Sequence, residues 1–220
     1  MPQLCGQQYV GRFEVYAGYM FLDSPKLNLF EPGYHIQVGM RYSRHISMGF
    51  DFSRGTGDTA LTSELATDAL QARLKSYLDP LKAGGLLPPD YQPRLPLNSE
   101  TATFTAGPQF VCRKWNKFTP FIRPSIGAIR EYAVARPNDI FTKALVTQIA
   151  PSGTKLDWTA FYGVGGGVAF NVLKHFSLVV QADFVHDHLY NDLLRDGRNT
   201  VRFSVGPGFQ FGHNVDKKWF

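Results

Sequence analysis

Cysteine is scarce: among 220 residues there are only Cys5 and Cys112. Two cysteines so far apart exclude a disulfide-framework domain and a zinc knuckle. Charge is also sparse, with 19% of residues charged, yet 44% apolar residues exclude an ordinary disordered chain. A long apolar run is missing too. The longest charge-free stretch, Trp158–Leu173, carries Thr159, Asn171 and four glycines, whereas a membrane helix needs about 20 mainly apolar residues. That excludes a helical span but not a barrel, whose signal per segment is weak. The first residues, Met-Pro-Gln-Leu-Cys-Gly, have neither the charged start nor the apolar core of a signal peptide. The net charge is +5, but the basic residues are scattered and never form a run of four. A nucleic-acid-binding face is therefore not expected.

What the chain does have is aromatic residues (14%) and 21 glycines, a combination that favours β-structure, arranged with a period of two. Tyr34, Ile36, Val38, Met40 and Tyr42 alternate with His35, Gln37, Gly39 and Arg41. Ile46, Met48, Phe50 and Phe52 alternate with Ser47, Gly49, Asp51 and Ser53. The same pattern runs from Phe13, Phe104, Pro120, Ala160, Phe176 and Val201. Strict alternation means strands with two unlike faces, and eight of them are predicted. The links Ser43–His45, Arg113–Phe118 and Leu173–His175 are short, while Asp23–Gly33, Arg54–Glu100, Tyr132–Asp157 and Asp187–Asn199 are long. Short turns on one rim and long loops on the other describe an all-β, up-and-down antiparallel barrel that closes and so removes both sheet edges.

One face of these strands carries bulky apolar residues and the other Gly, Ser, Thr, Gln and a few charges. An eight-stranded lumen is narrow and takes the small and polar set, so the apolar face points to lipid. Parity then places Glu14, Gln37, Arg41, Asp51, Gln109, Arg123, Gln181, Asp183 and Arg202 in the lumen. Glu14 pairs with Arg41 near the short turns, and Asp183 with Arg202 nearer the long loops. Charges buried there must be paired, as a static plug or as a gate that swaps partners.

The loop 54–100 is far longer than a connection needs. Leu61, Leu65, Leu70, Leu74, Tyr77, Leu78 and Leu81 recur in it at helical spacing. Thr62 or Ser63 is the expected cap, Pro80 an interruption and Gly84-Gly85 the end. Leu65, Leu70, Leu74, Tyr77 and Leu78 form an apolar stripe that either packs on the barrel mouth and the loop Tyr132–Asp157 or docks a protein partner. The glycines from Gly163 to Gly167 lie within an alternating strand, so they are no dinucleotide loop; closeness to Phe121 or Phe161 is their expected role. His186 and His188, with Asp187, leave too few ligands for a metal site. No catalytic motif and no cofactor site is read.

The segments FTAGPQF (Phe104–Phe110), TPFIRP (Thr119–Pro124), GVGGGV (Gly163–Val168), QADF (Gln181–Phe184) and TVRFSVG (Thr200–Gly206) resemble the small bacterial outer-membrane β-barrel domain, OmpA-like, over about residues 12–212. That resemblance implies a transmembrane barrel in a Gram-negative outer membrane, contact with outer-membrane lipid, folding by the outer-membrane assembly machinery, periplasmic termini and extracellular long loops. Residues 1–11 would then be a periplasmic segment and 213–220 a periplasmic tail. A structural or surface-interaction role is expected rather than an enzyme. The alternatives are a conduit for small apolar molecules, through a lateral opening marked by Pro108, Pro120, Pro124 or Pro207, and an enzyme on the rim. Cys5 and Cys112 both fall at the short-turn rim, where an oxidising periplasm permits a disulfide.

Overall fold

The computed structural model describes residues 9–215. Eight strands form a closed antiparallel barrel in chain order: β1 (Gly11–Ser24), β2 (Leu29–Arg41), β3 (Ile46–Thr62), β4 (Arg94–Val111), β5 (Phe118–Ala135), β6 (Thr154–Asn171), β7 (Phe176–Asp187) and β8 (Arg198–Asn214). Strand β8 returns to pair with β1, so no edge is left open.

The alternation falls as the polarity demands. Val38, Val164 and Val180 point outward and are 45%, 51% and 44% exposed, whereas Ser53 and Ser125 on the inner face are fully buried. Aromatic rings line both ends of the apolar band. Tyr34, Phe52, Phe104 and Trp158 form one row, with centroids 6.0, 5.1 and 5.8 Å apart. At the short-turn end, Phe13, Phe211 and Phe209 form another at 5.6 and 6.0 Å. Such rings suit the two water–lipid boundaries.

Several strands are longer than the alternation suggested. A barrel strand crosses lipid with about 9–11 residues, and β3 to β6 have 17 or 18 each. The excess rises beyond the band at the long-loop end. Strand β3 thus runs to Thr62 and β4 begins at Arg94, which shortens the loop expected over 54–100. The expected long link Asp23–Gly33 shrinks to a 3-10 turn, Pro25–Leu27, closed by Asn28 with a positive φ of 48°. At the other terminus β8 includes His213 and Asn214, so the barrel extends past residue 212.

Two helices roof the long-loop end: α1 (Asp68–Ala83) and α2 (Ile140–Ile149). Helix α1 starts after Thr67, not after Thr62 or Ser63, because Leu61 is still in β3 and Leu65 closes a 3-10 turn, Ser63–Leu65. Pro80 lies in the last turn of α1 and forgoes one intrahelical bond, yet the helix runs on to Ala83. Leu70 and Leu74 pack, with Ala66, on Phe141, Leu145 and Ile149. Leu78 is also buried, Leu65 packs on the cluster that fills the mouth, and Tyr77 stays half exposed. Helix α2 has a capping box: the Thr142 N–H donates to Asp139 Oδ1 at 2.6 Å and the Asp139 N–H to Thr142 Oγ1 at 3.1 Å. The Tyr91 hydroxyl donates to Asp139 Oδ2 at 2.9 Å, tying the return from α1 to α2. Burial and that bond push the Tyr91 phenol up to about 12.

Leu74→Ala should therefore free α1 from α2 at a local cost of about 2 kcal/mol or more. Proteolysis within residues 63–93 should accelerate, while the heat-modifiable gel band of the folded barrel is unchanged. Equal cleavage of variant and wild type would contradict this packing.

Two ladders are interrupted and the other six are continuous. Between β4 and β5 the pairing stops after Thr105–Gly127 and resumes at Phe110–Ile122, where Pro108 stands opposite Pro124. Between β1 and β8 it skips from Tyr16–Gly208 to Tyr19–Val205, around Pro207. Proline has no N–H to give a ladder.

Candidate functional site

The lumen holds three layers of polar side chains stacked along the barrel axis. Each exists because alternate residues on a strand point inward, and because charges there are stable only when paired.

At the short-turn end, Arg41 of β2 and Glu14 of β1 form an ion pair at 2.5 Å. Arg41 also donates to Gln210 Oε1 at 2.6 Å and to the Gly11 carbonyl at 2.9 Å. Above the pair lies a cavity of about 60 Å³ reaching Gln37, Gln109 and Phe121.

The middle layer closes the bore. Arg123 of β5 bridges Asp51 of β3 at 3.0 Å and Asp183 of β7 at 3.0 Å. Arg202 of β8 bridges the same two carboxylates, at 3.1 Å to Asp51 and 2.7 Å to Asp183. Two guanidiniums and two carboxylates thus alternate in a square, and every member is at least 95% buried. The remaining donors and acceptors are used. Arg202 donates to Ser53 and Thr103, the Ser125 hydroxyl donates to Asp183, and Arg123 reaches Gln37, which donates to Gln109 at 3.1 Å. His35 sits against Asp51 at 3.3 Å, with Ser204 at 3.0 Å and Gln181 at 2.8 Å on its other nitrogen. The glycine run in β6 makes room for this layer. A Cβ on Gly165 would lie 1.7 Å from Asp183 Oδ1. The neighbour that requires glycine there is a carboxylate; of the two rings expected beside the run, Phe121 meets Gly166 through its backbone carbonyl, at 2.8 Å from an added Cβ, and Phe161 does not figure.

At the long-loop end, Arg198 of β8 is fully buried between Glu131 of β5 at 2.5 Å and Asp187 of β7 at 3.1 Å. Ser99 donates to Glu131 at 3.0 Å. Glu31 of β2 lies in the same layer, wholly buried.

All nine lumen residues singled out by parity face the bore, and the structure joins eight of them in the first two layers, with Gln181 attached through His35. Sequence reasoning missed His35, Glu31, Glu131, Asp187 and Arg198 as members. Parity could have turned all five inward, His35 and Glu31 with Gln37, Glu131 with Arg123, Asp187 with Asp183 and Arg198 with Arg202. Their partners come from strands beyond the reach of any local pattern. Asp187 turns inward to Arg198, while His186 bonds Asn199 at 2.7 Å and meets the His188 ring edge-on at 4.8 Å. These three therefore do not converge on one point. Cys112 is exposed, and the bridge expected to Cys5 lies outside the described residues.

A closed eight-stranded barrel with a lipid-type outer belt and a polar, ion-paired interior is an integral β-barrel of a membrane. No family model and no curated protein matches the sequence. Solved structures do match. Neisserial surface protein A aligns with a TM-score of 0.53 at 10% identity, over 90% of this chain and 96% of that one. Ail of Yersinia pestis aligns with a TM-score of 0.48 at 13% identity over the same shares, and OprG of Pseudomonas aeruginosa with 0.46 at 10% over 93% and 97%. The chain has the fold of the small, eight-stranded outer-membrane barrels.

Proposed function

We propose that this protein is a non-enzymatic outer-membrane barrel whose lumen is permanently plugged and whose roofed end is its working surface. The observation that carries the reading is the buried square of Asp51, Arg123, Asp183 and Arg202, which crosses the bore from three sides with no charge left over. A gate would need an alternative partner within reach, and in the middle layer each ion already has two. The termini then lie in the periplasm and the helices α1 and α2 outside the cell, in keeping with the short turns and the elaborated loops at opposite rims. Folding by the outer-membrane assembly machinery and contact with outer-membrane lipid belong to the same reading. The face left for a protein partner is the exposed side of the roof, where Tyr77, Leu86 and Ile140 are 50%, 75% and 90% exposed. The leucine stripe of α1 is spent on α2 and the mouth.

The expected result in a planar bilayer is no steady conductance from the purified, refolded protein. Sustained channels at neutral pH would refute the plug. A second reading, a lateral path for small apolar molecules, is supported by the interrupted β4–β5 ladder beside the cavity at Gln109 and Phe121. Uptake of an apolar tracer into liposomes that is faster with the barrel than without it would favour that path.

A further inference from the structure

The three carboxyl groups of the long-loop layer share one guanidinium. Arg198 gives Nη1 to Glu131 and Nε to Asp187, and its remaining Nη2 makes no hydrogen bond. Glu131 takes a second bond from Ser99, and Asp187 a second from the Leu189 N–H at 3.1 Å. Glu31 is the odd one out: neither of its oxygens meets a donor in normal hydrogen-bond geometry, although the residue is fully buried and the Thr101 and Ser99 hydroxyls face it.

Its place is nonetheless built for it. A Cβ on Gly55 would meet Met20 Cε at 2.8 Å and Glu31 Cβ at 3.0 Å, and a Cβ on Gly57 would meet the Phe30 carbonyl at 2.3 Å and Glu31 Cγ at 3.0 Å, so β3 carries glycine where this stretch of β2 packs on it. The groups that face it from the other strands are Thr101 and Ser99 of β4, Glu131 of β5 and Arg198 of β8, with Asp187 of β7 behind the arginine. Met20 of β1 is apolar and wholly buried. Among the described residues the cation that faces Glu31 is Arg198, whose Nη1 and Nε are already given to Glu131 and Asp187, and Glu131 beside it is negative. An ionised carboxylate in that position carries a burial penalty of several kcal/mol, which a guanidinium shared with two other carboxylates and the Thr101 and Ser99 hydroxyls offset only in part. The neutral acid avoids the penalty.

We propose that Glu31 is a proton-binding site in the lumen that holds its proton into the neutral range and sets the charge of the barrel mouth. With the proton bound, Glu131, Asp187 and Arg198 leave the layer with one uncompensated negative charge. With the proton lost, there are two, directly beneath the apolar cluster of Leu27, Leu29, Ile129 and Leu189 that floors the roof. Because the folded state holds this proton more tightly than the unfolded chain, the contribution of Glu31 to stability declines as pH rises above the ordinary glutamate range.

The direct test is infrared spectroscopy of the full chain, folded in detergent micelles at neutral pH. A protonated-carboxyl C=O stretch, above the amide I band, is expected in wild type. It should shift on ¹³C-glutamate labelling and vanish in Glu31→Gln. No such band in wild type, or a band that persists in the variant, overturns the proposal. Labelled wild type alone remains informative about a glutamic acid if Glu31→Gln does not fold, and Glu31→Asp then replaces it: the label-sensitive band must disappear there too. In urea unfolding, Glu31→Gln should gain on wild type as pH is raised from mildly acid to neutral and then level off. A constant difference across that range also overturns it.

Discussion

Asp183→Ala should lower the unfolding free energy of the barrel by about 3–5 kcal/mol, the usual cost of removing one partner from a buried ion pair. The carboxylate is 99% buried and takes bonds from Arg123, Arg202 and Ser125. Its loss leaves two guanidiniums sharing Asp51 in a bore too narrow to hydrate them. Urea unfolding in phospholipid vesicles, followed by tryptophan fluorescence, measures the change. The charge-balanced double variant Asp183→Ala with Arg123→Met keeps a single Asp51–Arg202 pair and should recover a good part of the loss. If the single variant costs under about 1 kcal/mol, the square is not a stabilised unit.

Val180→Arg should cost about 2–4 kcal/mol, as a guanidinium facing hydrocarbon at mid-depth does. Val180 is central on β7, points outward and pairs with Val168 and Val205, which face outward with it. The comparison that isolates depth is Tyr77→Arg, on the exposed side of α1, where a surface change costs within about 0.5 kcal/mol. Equal effects at the two positions, by the same unfolding assay, would mean that the apolar band does not meet lipid.

The barrel was legible because its alternation is strict only where one side of a strand meets lipid and the other a polar bore. A slip of one residue would exchange the faces of a whole strand, so parity fixed the inward direction of Asp51, Arg123, Asp183 and Arg202 together. Beyond the lipid the two sides no longer differ. Gly57–Thr62 and Arg94–Glu100 are paired strand in the structure but read as loop, because nothing in their composition separates inside from outside. The same loss of contrast hid the tight turn at Pro25–Leu27. In α1 the leucine spacing was right but the start was not: Leu61 and Leu65 extend the apolar periodicity backwards into residues that the β3–β4 pairing and a 3-10 turn claim. The square was harder still. Parity says that a side chain enters the bore but not at what height, and Arg202 meets Asp51 across 151 positions of sequence. Parity could turn Glu31 inward, but its lack of a bonded partner was unreadable for the same reason, since it depends on the bonds that Arg198 gives elsewhere.

The two interrupted ladders lie diametrically across the ring, with β1–β4 on one side and β5–β8 on the other. In mechanical terms the wall is less a rigid tube than a clamshell of two four-stranded gutters, each stitched continuously and joined along two perforated seams. The ionic square then acts as its latch. Asp51 belongs to one gutter, while Arg123, Asp183 and Arg202 belong to the other. Gln37 and His35 add further rungs across the same divide, to Arg123, Gln181 and Ser204. Severing Asp51 from the arginines therefore removes the ionic part of the latch and leaves only neutral or singly charged rungs in the middle layer, whereas cutting within the β5–β8 set leaves that ionic tie in place.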